Sequence, residues 1–296
     1  MKISFRVNPD EDNIPAYAIL KSRFGMSGLL VKRIRLYGSL LVNGNPTRMK
    51  SPLHVNDEVI AEYSDESEIP RIREDCKIPI LYDDDWIIVC EKPGNLVTHP
   101  SWQHMDDSLI QRLSSSPLNP VMRLDRETSG LIVIAKNGYA HHRIISMPME
   151  KKYLAIVHGH LQPEEGTIRE PIGRADNSIM IRVVRDDGHP SVTHYKVLRY
   201  REDTDLSLVQ FQLETGRCHQ IRVHSLSLGH PLVGDGLYGP FSQDFPNPNI
   251  PSLEMDKRIG RQALHACYLS FWHPITGEKM TFMSPMPEDM AQLINT

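Results

Sequence analysis

Residues 122–135 read Met-Arg-Leu-Asp-Arg-Glu-Thr-Ser-Gly-Leu-Ile-Val-Ile-Ala. The run changes character at Gly130. A polar loop in which the carboxylate Asp125 is set between Arg123 and Arg126 gives way to the apolar stretch Leu131–Ala135, which is too short for a helix and predicts a strand. Thr128, Ser129 and Gly130 can satisfy the loop's backbone or turn it sharply. Two readings of Asp125 stand side by side. It is a loop cap that bonds backbone amides near Thr128, or it is an ionised carboxylate aimed at something.

Outward from this stretch, strands are predicted at Trp86–Cys90, Tyr153–Val157, Met180–Val184, Val192–Tyr200 and Leu206–Leu213. Several are joined by turns too short for a crossover helix, so the expectation is an α+β body with a mixed, largely antiparallel sheet and a few helices. Residues 64–78 carry little apolar periodicity and read as a connector. The chain therefore divides into a small unit at 13–63, an acidic linker at 64–78 and a large body at 79–296.

Charge follows the same division. The 296 residues carry a formal net charge of −4, which on its face argues against a nucleic-acid partner. Yet residues 13–56 hold seven basic residues, Lys21, Arg23, Lys32, Arg33, Arg35, Arg48 and Lys50, and no Asp or Glu. Residues 57–85 hold eleven acids against Arg71, Arg73 and Lys77. Within the basic head, Ser27 caps a predicted helix whose apolar positions Leu29, Leu30, Ile34 and Leu36 recur at helical spacing, and Gly38 ends it. An extended Leu40–Val42, an Asn43-Gly44 turn and a strand over Glu58–Tyr63 follow. A compact basic α/β unit of this kind suits the phosphates of structured RNA.

Other classes recede. No apolar run approaches the roughly 20 residues needed to cross a bilayer, the first ten residues lack a signal-peptide core, and the four cysteines form no Cys-x-x-Cys pair. A reduced, cytoplasmic protein, monomeric by default, is expected. There is no G-x-G-x-x-G after a predicted strand and no phosphate-binding P-loop, so no nucleotide cofactor is suggested. His219 and His224 lie five residues apart, on opposite faces of a strand or about 140° apart on a helix, so a metal site is not expected. Hydrogen bonding in a polar cleft, or contact with phosphate, suits the histidines better.

The stretch RLDRETSGLIVIAK (123–136) resembles the catalytic motif of the RluA family of pseudouridine synthases. KKYLAIVHG (151–159), ETGRCHQIRVH (214–224), GHPLVGDGLYG (229–239) and LHACYLSFWHP (264–274) resemble further motifs of that family, in order. LYGSLLVNGNP (36–46), with the basic residues around it, resembles the small RNA-binding domain of ribosomal small-subunit protein four, the S4 domain. Met122 stands where the family usually has His, and Cys218 where Thr is common.

The resemblance implies isomerisation of uridine to pseudouridine in structured RNA, bound in a central cleft, without a cofactor. Large-subunit ribosomal RNA is the expected substrate, with transfer RNA as the alternative. By the family motifs Asp125 is the catalytic carboxylate, attacking the sugar or the base or removing a ribose proton. Arg222 pairs with it, Tyr153 stacks on the base and Ile221 packs on the other side. Arg217, His219 and Gln220 border the substrate. Arg123 either enters the RNA where the base has left or contacts phosphate, and the seven basic residues of the head supply general affinity. Two competing readings are a hydrolase using Asp125 and Glu127 as a carboxylate pair, and a catalytically silent RNA-binding protein.

Overall fold

The computed structural model describes residues 2–62, 71–100, 104, 106–176, 178–239 and 253–295. Tyr63 and residues 64–70 of the linker thus lie outside the described residues. At the centre of the body is the strand Ser129–Ala135, in which every residue is buried. Its side chains alternate between two cores. Leu131, Val133 and Ala135 pack with Ile87, Val89, Leu269 and Phe271, whereas Ile132 and Ile134 pack with Ile88, Cys90 and Tyr153. Two-sided burial is why the sequence here is a continuous apolar run and not an alternating one.

This strand belongs to a ten-stranded sheet. In spatial order the main path runs Glu165–Ile168, Thr193–Arg201, Leu206–Leu213, Glu150–His158, Leu264–Trp272, Ser129–Ala135, Ile87–Lys92 and Ile80–Asp83. The pairing is antiparallel throughout except between Ser129–Gly130 and His265–Ala266, which run parallel. The expected mixed, largely antiparallel α+β body is therefore what the chain forms. One expected strand is shorter than its apolar content suggested. The Ser178 hydroxyl accepts the amides of Met180 and Ile181, which makes them a turn, so pairing begins only at Arg182.

The amino-terminal unit has a four-stranded sheet and two helices, Ala16–Ser22 and Gly28–Tyr37. As expected, the Ser27 side chain caps the second helix by accepting from the Leu30 amide at 3.2 Å. Gly38 ends it for a packing reason: a Cβ there would stand 2.1 Å from the Glu62 carbonyl oxygen. The unit also reaches further toward the amino terminus than residue 13. Lys2–Arg6 pairs with Glu58–Glu62, which buries Ile3 and Phe5 with Ile19, Leu20, Ile34 and Val59. Tyr139 completes that core and Trp86 packs against it, so the unit rests on the body. Among the described residues no helix is long and apolar enough to cross a membrane.

Gly130, at the joint between the Asp125 loop and the central strand, has φ +109°, and a Cβ built there would lie 2.3 Å from the Ala266 carbonyl oxygen. Gly130→Ala is accordingly expected to cost about 3 kcal/mol or more, through backbone strain and loss of the parallel contact. Chemical denaturation of the variant beside the parent measures it.

Candidate active site

Asp125 lines a pocket of about 330 Å³, with Lys151, Tyr153, Leu213 and Leu264 from the central strands of the sheet. Its carboxylate does not cap the loop: the Thr128 amide bonds the Asp125 backbone carbonyl at 3.1 Å. Instead, Asp125 Oδ2 accepts from Arg222 Nη1 at 3.1 Å. Of the two readings left open by the loop, the aimed carboxylate is the one observed.

Arg222 is held in place before it meets Asp125. It is the third residue of the helix Gln220–Ser227, and its Nε and Nη2 donate to the two oxygens of Asp235, each at 2.7 Å. This fork-on-fork pair fixes the guanidinium plane. Asp235 is itself fixed, because its Oδ1 accepts the amides of Leu237 and Tyr238. The Tyr238 ring lies under the guanidinium, 4.9 Å from its carbon. The Tyr238 hydroxyl accepts the Arg182 amide and shares a hydrogen bond of 2.8 Å with His219 Nδ1.

Burial alone would raise the Asp125 carboxyl. The positive charges of His219 when protonated, of Arg222 and of Arg123, with the bond from Arg222, outweigh burial and hold it below the usual carboxylate range. Burial in turn lowers His219, which leaves Arg222 and Arg123 as the standing counter-charges at neutral pH. Tyr153, also in the pocket wall, is raised by burial and then by Asp125, so its phenol keeps its proton.

The loop is also gripped from behind. Thr98 brackets Leu124, bonding both its amide and its carbonyl through one hydroxyl. The buried Lys92 ammonium donates to the carbonyls of Pro93, Leu96 and Arg126 at 2.7–3.0 Å. Gln262 Nε2 donates to the Thr128 hydroxyl, and Arg261 to the Glu127 carbonyl. Glu127 faces Arg126 and the Gln262 amide, so the structure forms no carboxylate pair with Asp125.

The other expected site residues fall into two groups. Ile221, Arg217, His219 and Arg123 all line the pocket, with Arg123 exposed at its mouth. Gln220 borders it too, but its amide is saturated. Oε1 accepts from the Thr215 hydroxyl and the Arg217 amide, and Nε2 donates to Val192 O and Thr193 Oγ1. With no donor or acceptor left for a substrate, Gln220 is a clamp on the loop and not a substrate contact. His224 is turned away, to Thr193 and the Glu170 carbonyl. In the head, Lys21, Lys32, Arg35, Arg48 and Lys50 are exposed, and the Arg33 side chain lies outside the described residues. Arg23 departs from the expectation. Its guanidinium pairs with Glu11 at 2.9 Å, bonds the Arg6 carbonyl and lies over Phe5 and Phe24, which is structural work within the unit.

Asp125, Cys218 and His219 place three potential metal-ligand atoms within 4.8 Å of one another. The Arg222 guanidinium already occupies one of those oxygens, and the wall adds Arg123, Lys151 and Arg217. Such surroundings favour an anion over a cation.

Residues 86–227 match the family model described as RNA pseudouridylate synthase. The chain is 37% identical over 284 residues to an uncharacterized RNA pseudouridine synthase of Bacillus subtilis (strain 168), YjbO, covering 91% of this chain and 95% of that protein. The chain belongs to the RNA pseudouridine synthase family. It is 36% identical to ribosomal large subunit pseudouridine synthase D of Pseudomonas aeruginosa, over 87% of this chain and 83% of that one. Among solved structures it is similar to human RNA pseudouridylate synthase domain containing 4, with a TM-score of 0.57, 26% identity, and coverage of 73% of this chain and 92% of that one. The chain is thus an RNA-modifying isomerase. Asp235, Tyr238, Lys92, Thr98 and Gln262 escaped the sequence reading. The available signals were a carboxylate among the glycines of GHPLVGDGLYG and a lysine closing the apolar run before Pro93-Gly94.

Two outcomes follow from the charges. Arg222→Met leaves the buried Asp235 carboxylate uncompensated, so it is expected to lose about 3–5 kcal/mol of stability, measured by denaturant unfolding, together with turnover. The lowered Asp125 carboxyl is ionised throughout the neutral range, so turnover at saturating RNA should stay flat between about pH 8 and pH 5.5. Its contribution to stability is present above the ordinary carboxylate range and is lost only as the pH falls through the lowered value. A pH–rate profile at saturating RNA tests the first statement, and unfolding at acid pH the second.

Proposed function

We propose that the protein converts uridine to pseudouridine in large-subunit ribosomal RNA, with Asp125 as the catalytic carboxylate. The observation that carries this reading is the ion pair of Asp125 with Arg222 in the pocket wall, Arg222 being already oriented by Asp235. A carboxylate so paired is ionised, desolvated and fixed in direction, as each route open to it requires. The carbon 5 product and the nitrogen-linked substrate are isomers, so the reaction is redox-neutral and calls for no cofactor.

A base in a stacked helix cannot reach Asp125, so the uridine turns out of the RNA at a cost of a few kcal/mol. On this reading Tyr153 and Ile221, both in the pocket wall, hold the base between them, and Arg123, which also lines the pocket, occupies the space it leaves or contacts phosphate. The exposed Lys21, Lys32, Arg35, Arg48 and Lys50 of the amino-terminal unit supply the sequence-independent attraction expected of an S4-like RNA-binding domain. That unit favours a large structured RNA, in line with the ribosomal substrate named for the relatives. The protein acts as a cytoplasmic monomer on this reading.

Pseudouridine mapping of ribosomal and transfer RNA from cells lacking the gene, complemented with the parent or with Asp125→Asn, tests the proposal. A large-subunit site should vanish on deletion and return only with the parent, and Asp125→Asn should lower turnover in vitro by at least about 10²-fold. A lost site in transfer RNA would reassign the substrate. Persistence of every site, with no conversion of unmodified RNA by purified protein, would overturn the proposal.

A further inference from the structure

Lys151 takes no part in the network that orients Asp125. It stands two residues before Tyr153 on the strand Glu150–His158, so both side chains leave the sheet on the same face and both line the pocket. Its neighbour Lys152 leaves on the opposite face, where it pairs with Glu150 at 3.1 Å and lies 4.9 Å from the centre of the Tyr268 ring. Lys151 has no equivalent. Among the described residues no carboxylate stands within ion-pairing distance of its ammonium, and burial lowers that group with no counter-charge to oppose it.

The loop 214–219 closes over this ammonium from the other side. At Gly216 the loop comes within van der Waals reach of it: a Cβ built there would lie 3.8 Å from Lys151 Nζ, an ordinary contact distance. The cation thus stands in the wall of a pocket that Arg217 and Arg123 also line. A partly desolvated ammonium without a partner is costly, and an anion arriving with the substrate removes that cost. The anion that every nucleotide brings is its phosphodiester.

We propose that Lys151 is an RNA-contacting residue whose ammonium donates to a non-bridging oxygen of the phosphate next to the uridine turned into the pocket. The inference rests on the proposed function and refines it, by assigning a phosphate subsite inside the pocket, separate from the basic surface of the amino-terminal unit.

The test is equilibrium binding of an unmodified large-subunit ribosomal RNA transcript across a salt series, in the Asp125→Asn background so that no turnover intervenes. Lys151→Met should weaken binding about tenfold near 0.1 M salt. It should also flatten the slope of log affinity against log salt by about 0.7–0.9, the value of one lost phosphate contact. Lys151→Arg, which keeps the charge, should retain the slope. Lys151→Gln serves as a second uncharged variant, and thermal unfolding checks that each is folded. Parent-like affinity and slope in Lys151→Met would overturn the inference. So would lost turnover at unchanged affinity when Asp125 is restored, since that places Lys151 in the chemical step. Failure of the parent enzyme to convert any uridine in this RNA would instead count against the proposed function, and the slope is read independently of conversion.

Discussion

One guanidinium shared between two carboxylates organises this molecule. Arg222 gives its Nε and Nη2 to Asp235, in a pair from which water is excluded, and its remaining Nη1 to Asp125 at the pocket. Arginine alone among the side chains can do this, because its charge is permanent and its five donors lie in one plane. The bidentate pair sets that plane, and Asp125 then receives a donor in a fixed direction. The trio carries one net negative charge, and it faces the pocket.

Placing such a trio imposes demands on three separate segments. Helix Gln220–Ser227 must present Arg222, and it is started by His219 in the left-handed region with φ 58° and tied to the sheet by Gln220. The 233–238 loop must present Asp235. The 123–128 loop must present Asp125, and it is held from behind by Lys92, Thr98, Arg261 and Gln262. Those partners are polar and buried, which is costly unless each donor finds an acceptor. Lys92 meets the demand with three backbone carbonyls, and burial still lowers its ammonium to about 7. Rigidity of the site thus comes from saturated hydrogen bonding under the loop, with the sheet as the frame.

An acidic protein can serve an RNA substrate because its charges are segregated. The acids concentrate in residues 57–85, the exposed cations of residues 13–56 sit on the amino-terminal unit, and the pocket wall gathers Arg123, Lys151 and Arg217 around Asp125. Local potential, and not net charge, governs attraction at distances comparable with the roughly 8–10 Å screening length of physiological salt.

The local patterns of the chain determined its elements. The apolar run 131–135 made a central strand, Ser27 capped the helix its spacing predicted, and short turns between strands made the sheet largely antiparallel. The loop bearing Asp125 and its pairing with Arg222 were also legible, the latter through ordered motifs lying 97 residues apart. What tertiary structure decided is which polar groups remain for a substrate. Gln220 and Arg23 have the composition of contact residues, yet the Gln220 amide is saturated by Thr215, Arg217, Val192 and Thr193, and Arg23 Nη1 is engaged by Glu11 and the Arg6 carbonyl. Asp235 and Lys92 became central only once folding brought them against residues far along the chain. Periodicity, turns and caps are written over a few neighbouring residues, whereas hydrogen-bond saturation and desolvation are set by distant segments that meet only in the folded state.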